Sequence, residues 1–155
     1  MKHFTYKLML AVLFFTAMTF QTTTAKQVAK PHIYMFGLAA SFNDTIVYFT
    51  DVQDVENAWI ETRNGFLLGR DMYSFQLRDY LKTQKQMPQR TCIVFYHKNR
   101  SKLEKKFLKM KRLYTQSRDK QQHFDVRFLE TGEFRFTPVD MSPNEESAQS
   151  SSTKE

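Results

Sequence analysis

Residues Thr91–Tyr96 (TCIVFY) are apolar at nearly every position, and that run constrains the fold more than any other feature. A strand with alternating polarity needs cover on one face only. A strand without polar positions needs cover on both, the mark of a central strand with further layers above and below the sheet. The chain that follows supplies one such layer. Leu103, Phe107, Met110 and Tyr114 recur at spacings of four, three and four, one buried stripe on a helix over 101–117. Ser101-Lys102-Leu103-Glu104 has the Ser-x-x-Glu form of a capping box, which predicts the helix start at Ser101. Phe124, Val126 and Phe128 alternate with Asp125 and Arg127, a strand over 123–129 with one wet face. Strand, helix and strand together have the length of a right-handed βαβ crossover.

Upstream, the apolar runs 32–40 (HIYMFGLAA) and Thr45–Thr50 (TIVYFT) flank Ser41, Phe42, Asn43 and Asp44, turn chemistry that predicts a β-hairpin. Residues 51–69 leave two alternatives. Val52, Val55 and Trp59 suit a short helix begun by Asp51, whereas Asn64-Gly65 between Trp59-Ile60 and Phe66-Leu67-Leu68 suits a second small hairpin. Asp71 is placed to cap a helix running to about Lys85, with Tyr73, Leu77, Tyr80 and Leu81 on one face and Met87-Pro88 beyond its end. Phe134 and Phe136 around Arg135, after a Gly132 turn, read as a last strand, and Pro138 ends the domain. The expected fold class is therefore α/β (or α+β), in the order β-β-α-β-α-β-β. It is a single domain whose mixed sheet of about four to six strands is packed by two main helices.

The ends of the chain read differently from its middle. Lys2 and Lys7 precede an apolar run of 13 residues, Leu8–Phe20, which as a helix of about 20 Å is too short for a bilayer core of roughly 30 Å. Thr23 and Ala25 place small side chains at the −3 and −1 positions of a cleavage between Ala25 and Lys26. Residues 1–25 are thus read as a cleavable signal peptide, with no transmembrane span left after cleavage. Residues 26–140 form the domain. From Met141 the sequence MSPNEESAQSSSTKE offers too little apolar surface to offset its ordering entropy, and 141–155 is read as a disordered polar tail. Cys92 is the single cysteine, so no intramolecular disulfide forms. A secreted domain without disulfides fits a bacterial envelope, and the expected location is periplasmic or extracellular.

Charge is concentrated in one place. The chain carries a net +7, and ten basic residues between Lys98 and Lys120 face only Glu104 and Asp119. With the apolar stripe turned inward, most of these charges face water. His97, Lys98, Arg100, Lys102, Lys105, Lys106 and Lys109 are the candidate anion-binding residues, the first few because a strand hands over there to a helix N-terminus. The partners this chemistry fits are lipid headgroups, lipopolysaccharide or acidic glycans, or a protein partner. Nucleic acid fits less well. Lysine outnumbers arginine in the cluster, no aromatic interleaves on the exposed face, and export removes the encounter.

Catalytic patterns are thin. Cys92 lies inside an apolar strand, the setting of a small buried hydrophobe rather than a thiolate. His32, His97 and His123 show no metal-ligand spacing, and no paired carboxylates, serine elbow or phosphate loop occurs, so no catalytic residue, metal or cofactor is assigned. Ile33-Tyr34 and Tyr48 resemble the paired-tyrosine hairpin of GIY-YIG nucleases over about 20 residues. Both glycines that name that family are missing, with Pro31-His32 before Ile33 and Phe49 after Tyr48. Core aromatics in a hairpin account for both tyrosines equally well. The expectation is an exported, non-catalytic binding or accessory module with a basic helix face. The alternatives are a hydrolase acting on an anionic substrate near residues 97–102 and, more remotely, a nuclease of the GIY-YIG kind.

Overall fold

The structure, a computed structural model, describes residues 26–116 and 123–142. The leader 1–25 and most of the tail read from the sequence lie outside the described residues. Among the described residues seven strands and two helices follow in order: β1 (Gln27–Lys30), β2 (Ile33–Ala40), β3 (Ile46–Thr50), β4 (Gln53–Val55), β5 (Ala58–Glu61), α1 (Arg70–Gln84), β6 (Thr91–His97), α2 (Arg100–Thr115) and β7 (Asp125–Leu129). Two helices pack on a mixed sheet, as the alternation of element types implies.

β2 is the centre of the main sheet. It pairs antiparallel with β6 on one side and with β3 and β4 on the other, while β3 pairs parallel with β7. β3 and β4 are one strand interrupted by a bulge. Leu38 lies opposite Phe49 and Met35 opposite Gln53, so three steps along β2 match four along its partner, with Asp51 and Val52 opposite Phe36. The Gly37 N–H points into this break and donates to Thr50 Oγ1 at 2.9 Å.

Alternation along β2 sends side chains to two separate cores. Ile33, Met35 and Ala39 join Tyr73, Leu77 and Leu81 of α1, whereas Phe36 and Leu38 join Leu103 of α2 with Val47 and Phe49 of β3. Both helix stripes face the cores as their spacing predicts: Tyr73, Leu77, Leu81 and Leu103 are buried, and Tyr80, Phe107, Met110 and Tyr114 are half-buried against them. Phe107 and Tyr114 complete the second core by edge-to-face contacts with Phe49 at 5.9 and 5.8 Å between ring centroids. The sheet thus has one helix over each face. β6 and β7 run parallel at opposite edges, and α2 is the crossover between them.

Several local expectations are corrected. β6 is an edge strand, not a central one: it pairs with β2 alone among the described residues. Helices cover its two faces, which explains its apolarity; its outer ladder edge is a separate matter. The N-cap of α2 is Asn99, two residues before the Ser101 of the capping box, and its Oδ1 accepts the Lys102 N–H at 3.0 Å. Glu104 instead accepts from Arg100 Nε at 2.8 Å. Asp71 lies in the first turn of α1, whose N-cap is Gly69 at φ +63.

The small-hairpin alternative holds for residues 58–68. Gly65 turns the chain at φ +72, Ile60 bridges Leu67, and β5 pairs with β1 in a two-stranded sheet beside the first core. Phe134 and Phe136 are buried, but their segment lies outside the main sheet. Gln53 holds it: its Nε2 donates to the Phe134 carbonyl at 2.8 Å, and its Oε1 accepts the Phe136 N–H at 2.9 Å. Gln76 makes the same two bonds to Thr137, and Tyr73 Oη accepts the Val139 N–H at 3.1 Å.

Candidate anion-docking face

The handover from β6 to α2 is closed by the protein's own groups. His97 Nδ1 accepts the Asn99 N–H at 2.7 Å, Asn99 Oδ1 caps Lys102, and the Asn99 carbonyl accepts the Leu103 N–H at 3.2 Å. Arg100, besides its bond to Glu104, lies over the Tyr34 ring at 5.9 Å. At residues 97–102 the Lys102 and Leu103 N–H groups of the helix start are thus taken by Asn99 itself. Arg100 and Glu104 line a shallow groove of about 410 Å³ with Asp51, Val52, Phe107, Leu108 and Thr131. Asp51 in that groove already accepts from the Thr131 N–H and hydroxyl at 3.0 and 3.2 Å.

The outer face of α2 is arranged differently. Lys102, Lys105, Lys109 and Arg112 recur at spacings of three, four and three, so they share a row opposite the buried stripe. At about 1.5 Å per residue the row is roughly 15 Å long. All four side chains are exposed, and none has an acidic partner among the described residues. Leu108 at 56% exposure and Leu113 at 58% flank the row. Arg112 belongs to it on the same helical spacing that defines the buried stripe. Charge density along the sequence does not single it out; the helical spacing does.

Two further cations of the cluster are engaged at the margins of the helix. Lys106 Nζ lies 4.5 Å from the Phe95 ring centroid and Lys111 Nζ 4.4 Å from that of Phe128. Each covers an aromatic ring at one side of the sheet, a cation–π contact that also shields the ring from water. Lys98 is exposed at the β6–α2 corner. Of the sequence-derived set, the structure brings Lys102, Lys105 and Lys109 into one row. His97 and Arg100 belong to the cap, and Lys106 to the sheet margin. Lys26 stands at the start of the described chain, where its carbonyl accepts the Thr62 N–H and hydroxyl, both at 2.9 Å.

Elsewhere, burial pushes the Cys92 thiol up to about 11, well away from a nucleophile's range. Burial likewise raises Tyr73, opposed by its bond to Val139. Arg90, enclosed by protein, pairs with Asp44 at 2.6 Å and donates to the Ile46 carbonyl at 2.6 Å. It clamps the β2–β3 turn to the segment before β6. Compared with known proteins, the chain matches no family model, no curated protein and no solved structure.

Proposed function

We propose that the protein is an exported, non-catalytic binding module that docks an anionic lipid surface through the outer face of α2. The observation that carries this reading is the row Lys102, Lys105, Lys109 and Arg112, unpaired by any acid among the described residues. Unpaired cations on a rigid helix give a surface potential that a layer of headgroups matches. Leu108 and Leu113 beside the row favour lipid over nucleic acid or glycan, since exposed leucines gain by entering the headgroup boundary. Export is supported by the basic, apolar and small-residue order of residues 2–25. A cut after Ala25 also leaves β1 and the Lys26–Thr62 bonds whole.

Vesicles of one part phosphatidylglycerol to two parts phosphatidylcholine test the docking. Binding is expected to fall steeply with salt. Since each surface lysine contributes about 1 kcal/mol, K102E/K105E/K109E is expected to lose about a hundredfold or more. Wild-type binding by that variant, or equal binding to pure phosphatidylcholine, overturns the reading. Intact mass of the native protein in cytosolic, envelope and medium fractions tests export. A chain beginning at Lys26 outside the cytosol is expected, and a full-length cytosolic chain overturns it.

A further inference from the structure

The apolar run that reads as a central strand stands at the edge of the sheet, and the groove beside it has the features of a site for a partner strand. In an antiparallel ladder, alternate residues turn their N–H and C=O toward the neighbour and away from it. Gly37 donates to Thr50 on the β3 side, so Val94 opposite it points outward, together with Cys92 and Tyr96. The Val94 carbonyl is held by Arg70 Nε at 3.1 Å. Its N–H has no acceptor among the described residues, although Val94 is completely buried. Buried amides are almost always paired, so this one marks a missing acceptor.

The surroundings fit an extended segment. Two grooves that share Asp71 and Ser74, of about 750 and 440 Å³, run between α1 and the Thr91–Val94 stretch of β6. Phe66, Met72, Phe75 and Ile93 stand exposed around them, with Phe75 at 54%. β7 is the opposite edge, and its Asp125 and Arg127 are charges of the kind that discourage strand pairing. β6 contains no lysine, arginine, aspartate or glutamate.

Charge selects the occupant. Arg78 lines the larger groove and Arg70 the smaller; neither has an acidic partner among the described residues, and together they outnumber Asp71, which lines both. They lie about 12 Å apart along α1, close to the span of four residues of extended chain. A second copy paired antiparallel through β6 would set these arginines against their own counterparts. A peptide with carboxylates would meet them with opposite charge.

We propose that the outer edge of β6, unpaired by any strand among the described residues and covered at Val94 by Arg70, takes an extended segment of a partner polypeptide as an added strand, apolar in the middle and bearing carboxylates four residues apart. Arg70 leaves the Val94 carbonyl for one carboxylate, and the peptide backbone takes over both Val94 bonds and those of Cys92. This site lies on the α1 side of the sheet, whereas the basic row is carried by α2 over the other face, so it does not depend on that row.

The test is a library of nine-residue peptides with Glu at the third and seventh positions and Val, Ile, Leu or Phe at the rest. A second library is N-methylated at alternate amides. The expected result is micromolar binding of selected members. Binding should be lost with N-methylation and weakened at least tenfold in R78E and in F75S, both changes at exposed positions. In amide exchange of the intact protein, Cys92 and Val94 gain protection while Ile93 and Phe95, already bonded to β2, do not change. Absence of any member binding below millimolar overturns the proposal, as does equal binding by the N-methylated set. Dimerisation through β6 in sedimentation experiments, without peptide binding, also overturns it and assigns the edge to a second copy.

Discussion

At Gly37 the first core reaches the backbone of the central strand itself. A methyl group there would lie 2.5 Å from Leu77 Cδ2 and 3.2 Å from the Phe136 ring. The glycine is thus what lets α1 and the C-terminal segment close over the bulge. Two residues along the neighbouring strand, Cys92 shows the same crowding in its acidity. Its thiol ordinarily ionises near 9.0 and is pushed up to about 11, chiefly by burial. Below the lower value the thiol is neutral folded or unfolded. Between the two values the folded protein keeps a proton that the unfolded chain gives up, so stability falls as pH rises through that window. In thermal unfolding across this range, the Tm of wild type is expected to approach or drop below that of C92A as pH increases. A constant difference between the two proteins would contradict the assigned burial.

At the scale of elements, periodic stripes were legible and helix starts were not. The stripe at Leu103, Phe107, Met110 and Tyr114 predicts the buried face of α2 because burial repeats with the helix itself. A cap depends on which residue leaves helical geometry first, and both Asn99 and Ser101 have capping side chains. The structure chooses Asn99, because β6 ends at His97 and the chain turns at once, with the His97 ring receiving the Asn99 N–H. N99A is therefore expected to cost about 1 kcal/mol. S101A should stay within about 0.5 kcal/mol, as for an ordinary surface change. Urea denaturation of the two variants checks the assignment, and the reverse order would restore the Ser101 box. The basic row shows the same division. Its charge was plain in composition, but which cations remain free depends on Phe95 and Phe128 capturing Lys106 and Lys111.

The whole molecule is held together across long sequence distances by side chains standing in for a ladder. Gln53 lies in the bulged strand and Phe134–Phe136 near the C-terminal end of the described chain, yet the Gln53 amide pairs with that backbone as a neighbouring strand would. Because Gln53 is buried, Q53L leaves a carbonyl and an N–H without partners. At about 1–3 kcal/mol for each such group, a loss of roughly 2–6 kcal/mol is expected in urea denaturation. Q76L removes the equivalent bonds to Thr137 where water can replace them, and should cost about 1 kcal/mol or less. Equal losses for the two would place the Gln53 bonds in contact with solvent. By itself the sequence determined the kinds of element, their buried stripes, two helices on a mixed sheet and one strongly basic helix, all of which are local periodicities or local composition. Tertiary structure decided that Thr91–His97 lies at an edge, that Phe134–Phe136 is held by Gln53 outside the ladder, and that Lys102, Lys105, Lys109 and Arg112 form the free row. The physical reason is that apolarity records which faces of a strand are covered. Ladder partners, by contrast, are backbone groups common to every residue, so only the assembled chain decides which edge stays open.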